Sequence, residues 1–135
     1  MNRLRYTFFT LGLISLFYIQ SCGDNPYQQG QVIYEYHCAN CHLSSGEGIG
    51  QLIPPLKNAD YMKENWDQLA CIISNGLQDT IMVNGVQYDG VMAGIKDLGP
   101  VELSNLINFM NHEWNNQEAA FITADEIKQI LEECP

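Results

Sequence analysis

The chain has 135 residues, with six Lys and Arg against sixteen Asp and Glu, a formal charge of −10. So large an acidic excess excludes a protein that neutralises the phosphates of nucleic acid. The length allows one compact domain with a single small core, and not two domains.

At the N-terminus, Arg3 and Arg5 precede an apolar run over residues 6–19, the pattern of a secretory signal peptide. The run falls short of the roughly 20 apolar residues of a membrane-spanning helix, and an uncleaved N-terminal anchor is the alternative. Ile19-Gln20-Ser21-Cys22 resembles the lipobox of bacterial lipoproteins. That resemblance implies loss of the signal peptide over residues 1–21 and lipid on Cys22. Both alternatives place the remainder outside the cytoplasm, in the bacterial cell envelope, and the lipoprotein form places a membrane-tethered domain in the periplasm. Past residue 21 only Lys57, Lys63, Lys96 and Lys128 oppose sixteen acids, a charge of −12 that favours encounter with a basic docking patch. Residues 22–27 have turn residues and no apolar periodicity, so they form a tether reaching at most roughly 20 Å. A membrane-bound partner suits a domain held that close to the bilayer.

A helix is expected from Gln28, with Val32, Ile33 and Tyr36 as apolar members and Gly30 and Tyr34 four apart on one face. It leads into Cys38-Ala39-Asn40-Cys41-His42. On a helix these two cysteines and the histidine stand at i, i+3 and i+4, so all three side chains address one object. Haem satisfies that geometry, since its two vinyl groups accept two cysteine sulfurs as thioethers and the following histidine reaches the iron. C-x-x-C-H in an exported chain is a specific signal for covalent haem. A thioredoxin-like dithiol would need a βαβ context, whereas a glycine- and proline-rich loop follows the motif. A structural zinc site would need two further ligands at close, paired spacing, whereas Cys71 and Cys134 are isolated and His37 and His112 form no pair.

Downstream, a short helix after Asn58 and a longer one over residues 66–75 are expected, the second stopped by Gly76 and burying Leu69, Ile72, Ile73 and Leu77. The segment DTIMVNGVQYDG alternates around Asn84-Gly85, a strong signal for a two-residue β-hairpin. Pro100 suits the first position of a helix in which Leu103, Leu106, Ile107, Met110 and Trp114 recur at helical spacing. Thr123-x-x-Glu126 is a capping box announcing a last helix with Ile127, Ile130 and Leu131.

From residue 28 to about 115 the chain resembles a class I cytochrome c. The resemblance is carried by Gly30 and Tyr34, Cys38-x-x-Cys41-His42, the glycines Gly46, Gly48 and Gly50, Pro54-Pro55-Leu56, Met92 and the amphipathic helix after Pro100. It implies a small all-α domain over residues 28–115, built around one covalently bound haem c per chain. The β-hairpin is then an insertion, and residues 116–135 are a helical extension. It further implies that the first and last family helices cross where Gly30 meets Phe109 beside Leu106. The Pro54 carbonyl would accept the outer ring N–H of His42, which fixes and strengthens a histidine ligand. Met92, in an irregular loop before the Pro100 helix, is the sixth iron ligand by the same resemblance. Met110 and Met62 suit packing roles, and Met82, beside the hairpin turn, is the competitor. Ala93 departs from the proline that often follows this methionine in the family.

With Cys22 assigned to lipid and Cys38 and Cys41 to haem, Cys71 and Cys134 remain. A disulfide between them is the economical reading in an oxidising compartment, with two unlinked thiols as the alternative. The expected function is single-electron transfer with His42 and Met92 on the iron, not enzymatic turnover. The chain would serve a membrane-bound oxidase, reductase or dehydrogenase, as a carrier or as an electron-transfer subunit. The alternative is a haem catalyst or gas sensor with an open sixth position.

Overall fold

The computed structural model describes residues 25–114 and 120–135. The leader and Cys22 lie outside these residues, as does the expected boundary between residues 115 and 116. Helix α1 (Gln28–His37) runs into the single turn α2 (Ala39–His42), and α1 packs against α5 (Pro100–Glu113). Gly30 makes this crossing possible, because a side chain there would strike the Asn105 carbonyl and the Phe109 Cβ. Tyr34, one turn on, is fully buried, as are Leu103, Leu106 and Ile107 of the same core. Each such side chain contributes about 1.5–3 kcal/mol of apolar burial.

The Tyr34 ring lies edge-on to Trp114, 4.8 Å between centroids, and its hydroxyl donates to the Leu43 carbonyl at 2.7 Å. Burial, with smaller contributions from Cys38 and Glu35, pushes that hydroxyl well above the usual phenol range. Val32 and Tyr36, expected among the apolar members of α1, are exposed instead. The reason is the helical repeat, in which residues two apart from Gly30 and Tyr34 project from the far side.

The middle of the chain is built from short pieces. Helix α3 (Asp60–Glu64) is followed by a 3-10 turn (Trp66–Gln68) and α4 (Leu69–Asn75), so the helix expected over residues 66–75 begins with a tighter turn. Strand β1 (Gly76–Leu77) pairs antiparallel with β4 (Met92–Ala93), placing Leu77 opposite Met92. Met92 therefore lies in a strand and not in the irregular loop expected from sequence. Strands β2 (Ile81–Val83) and β3 (Val86–Tyr88) form the hairpin, turning through Asn84 at φ 52 and Gly85 at φ 78. Both residues occupy the left-handed region that such a turn requires.

Helix α6 (Ala124–Glu132) begins with the capping box, in which Thr123 and Glu126 each take a backbone N–H from the other. It packs on α5 and α4. Buried Asn108 secures the approach, exchanging hydrogen bonds with the Ile122 backbone at 2.8 and 3.0 Å. Cys71 on α4 is joined by a disulfide to Cys134, just past α6.

Candidate functional site

The C-x-x-C-H segment sits where α1 ends. Cys38 interrupts the helix at φ −115, and α2 carries Cys41 and His42 one turn further. His42 is buried, and its Nδ1 lies 3.0 Å from the Pro54 carbonyl oxygen. A carbonyl can only accept, so Nδ1 carries the proton and Nε2 keeps a free lone pair. Burial lowers the pKa of His42, against a smaller opposing effect of the Pro54 bond, which favours the neutral ring that a metal requires. Gly48 lets the loop reach back this far: at φ 69 it stands so near the Ile53 and Pro54 carbonyls that a side chain would collide with both. Burial, and secondarily Cys41, pushes the Cys38 thiol up to about 11.

Cys38, Cys41 and His42 open onto a cavity of about 400 Å³. This volume is within the range of cofactor and ligand sites, about 300–1,000 Å³. Pro54, Leu56 and Ile53 extend the wall beside His42, α4 contributes Leu69, Ile72 and Ile73, and Met92 enters from β4. The lining fits a flat, apolar macrocycle: a predominantly hydrophobic slot, two thiols on one wall, and an imidazole with its lone pair free.

Of the other methionines, Met62 and Met110 also line the cavity, buried on α3 and α5, whereas Met82 does not and is 54% exposed. The alternation of β2 explains this, since Ile81 and Val83 turn toward the cavity and Met82 to the other face. Together with Tyr88, these residues make the hairpin a wall of the site. The family resemblance makes the hairpin an insertion and carries no sign of that role; the signal is the alternation of Ile81 with Val83 and of Val86 with Tyr88 on either side of the turn. The disulfide removes Cys71 and Cys134 as further ligands for a zinc ion at the motif.

Residues 27–114 match the cytochrome c family model, and the chain belongs to that family, as a mono-haem member of class I with covalently bound haem c. Its role is electron transfer. It is similar to a cytochrome c-552 of Thermus thermophilus, 29% identical over 138 residues, covering 96% of this chain and 86% of the relative. A second Thermus thermophilus cytochrome c-552 is 30% identical over 109 residues, covering 75% of this chain and 82% of the relative. The cytochrome c subunit of a quinone alcohol dehydrogenase from Gluconobacter oxydans is 29% identical over 105 residues, which span 75% of this chain but 21% of that larger subunit.

Proposed function

We propose that this protein is an envelope electron carrier in which Cys38 and Cys41 hold the porphyrin while His42 and Met92 ligate the iron. One observation carries the proposal: all four side chains line a single apolar cavity, the first three on one wall and Met92 on a segment that reaches it from far along the chain. Haem, when bound, supplies a one-electron ferric–ferrous couple whose potential is raised by a thioether ligand relative to two nitrogens. The residues supply the setting. Pro54 holds the His42 ring with its proton on the outer nitrogen, and the apolar lining limits water and hence the reorganisation that accompanies a change of charge.

Leu52 and Val91 both border the cavity and are each 73% exposed, so they mark its mouth, where a redox partner would approach. We place that partner among membrane-bound oxidases, reductases and dehydrogenases, with the present domain tethered through lipid on Cys22 after export. The acidic balance favours a partner with a basic docking patch. The relative that forms part of a quinone alcohol dehydrogenase supports a role beside a larger oxidoreductase.

Absorption spectra of the purified holoprotein and of Met92→Ala and Met82→Ala test the ligand set. Low-spin iron with a weak far-red sulfur band is expected in the parent and in Met82→Ala. Met92→Ala should lose the band, fall in potential and bind carbon monoxide. A high-spin parent that binds carbon monoxide rapidly would point instead to catalysis or gas sensing, and loss of the band in Met82→Ala would transfer ligation to the hairpin.

A further inference from the structure

The hairpin wall is fastened to the remainder of the protein at its turn and at its base. At the turn, one oxygen of the Asp60 carboxylate, Oδ1, accepts the Asn84 N–H at 2.7 Å and also the Tyr61 N–H at 2.7 Å. In return, the Asn84 side-chain oxygen accepts the Asp60 N–H at 3.2 Å. At the base, the Tyr88 hydroxyl donates to the Gly50 carbonyl at 3.3 Å, in the loop that follows the C-x-x-C-H segment.

The fastening joins two walls of one cavity. Ala59, Tyr61 and Met62 line it from the α3 side, and Ile81, Val83 and Tyr88 line it from the hairpin. The hairpin is a two-stranded ribbon, a unit that is marginal by itself in water. The Asp60–Asn84 bonds are exposed. Such bonds add little to the stability of the whole domain, so their consequence is where the ribbon sits.

We propose that Asp60 and Asn84 are positioning residues, a reciprocal latch that holds the β2–β3 hairpin against the haem and thereby raises its reduction potential. The proposal rests on haem occupying this cavity. Ferric haem carries one more positive charge than ferrous haem, and water stabilises the more highly charged state. A hairpin that swings outward admits water to the porphyrin face and favours oxidation, since solvent exposure is one of the properties that tune such centres.

The substitutions must separate position from charge. Loss of the Asp60 carboxylate removes a negative charge and, by that effect alone, disfavours ferric iron. Asp60→Ala and Asp60→Asn share this loss, but only Asp60→Asn keeps an oxygen acceptor for the Asn84 and Tyr61 N–H groups. Asn84→Gly changes no charge, tolerates the positive φ, and deletes only the acceptor of the Asp60 N–H.

Redox titration of the four holoproteins, followed at the haem absorption bands, reads the effect. At a fixed ambient potential, Asn84→Gly should show a reduced-to-oxidised ratio two- to fivefold below the parent, about 20–40 mV at 59 mV per tenfold for one electron. Asp60→Ala should fall below Asp60→Asn by a similar factor, and Asp60→Asn should equal or exceed the parent. If Asp60→Ala does not accumulate, Asn84→Gly against the parent still tests the latch, through the bond from the Asp60 N–H and without a change of charge. An unmoved potential in Asn84→Gly, with Asp60→Ala and Asp60→Asn shifting together, would overturn the latch and leave the haem site standing. A parent without covalent haem bands would overturn both readings.

Discussion

The wall that carries Cys38, Cys41 and His42 grows out of a crossing of two helices, α1 and α5, which bury Tyr34, Leu103 and Leu106 completely, whereas the wall that carries Met92 is assembled from strands of two and three residues. On the first side, one helix end and one loop place the whole C-x-x-C-H segment, and that loop brings Pro54 back to His42 within twelve residues. On the second, position depends on pairings between distant segments: Leu77 with Met92, the Ile95 N–H with the Ile73 carbonyl at 2.9 Å, and Cys71 with Cys134. The difference teaches that the wall with the C-x-x-C-H segment and the wall with Met92 have separate structural supports. The first stands on core packing, and the second on a few long-range ties that can be removed one at a time.

The harshest test of the helix-built side is Gly30→Val. Its side chain would meet the Asn105 carbonyl and Phe109 with no space to enter, so no folded haem protein should accumulate. Haem staining of a denaturing gel together with the Soret band reads this. A normally folded, haem-loaded variant would show that the crossing is not what positions the motif.

Replacing both Cys71 and Cys134 by serine tests the assembled side. The bridge spans a sequence separation of 63, for which chain entropy gives about 4 kcal/mol of stabilisation. Denaturant unfolding should show most of that loss, while haem remains covalently attached. If attachment failed as well, the two walls would not be independent.

A smaller effect is expected from Gly76→Ala. Gly76 has φ 84, and a side chain there would press on the Met92 carbonyl and the Gly94 N–H. The strain costs about 1–3 kcal/mol and should push β4 outward, weakening the far-red sulfur band before global stability is lost. An unchanged band would mean that the β1–β4 pairing does not hold the methionine.

The smallest effect concerns α6. The Thr123 backbone bond, then its hydroxyl, lowers the pKa of Glu126 from its ordinary value near 4.5. A lowered carboxyl pKa contributes stability that is complete above the unfolded value and is lost as pH falls through the folded one. Glu126→Gln should therefore lower the thermal midpoint slightly at pH 6–7, and the gap to the parent should close on acidification below about pH 4. A gap independent of pH would assign the cap to geometry alone.

Much of the helical framework was legible because its signals are local or periodic. Gly30 and Tyr34 share a helix face, Pro100 opens α5, Thr123 and Glu126 announce α6, and Asn84-Gly85 marks a turn. The misplaced details have two causes. The exposure of Val32 and Tyr36 follows from the helical repeat once Gly30 and Tyr34 face the core, whereas the strand containing Met92 depends on what lies across from it, which composition along the segment does not express.

By itself the sequence determined that a C-x-x-C-H segment follows a helix with a glycine and a tyrosine four apart on one face, since spacing along a helix sets which side chains share a face. It also determined the acidic balance and the turn and capping residues. Only the tertiary structure decided that Met92 and not Met82 faces the cavity, that Cys71 meets Cys134, and that the hairpin is a wall latched through Asp60 and Asn84. Each of these brings together residues at least 24 positions apart, or selects one face of a strand by what packs on it. Such contacts exist only once the chain has closed on itself, and no local pattern encodes the partner.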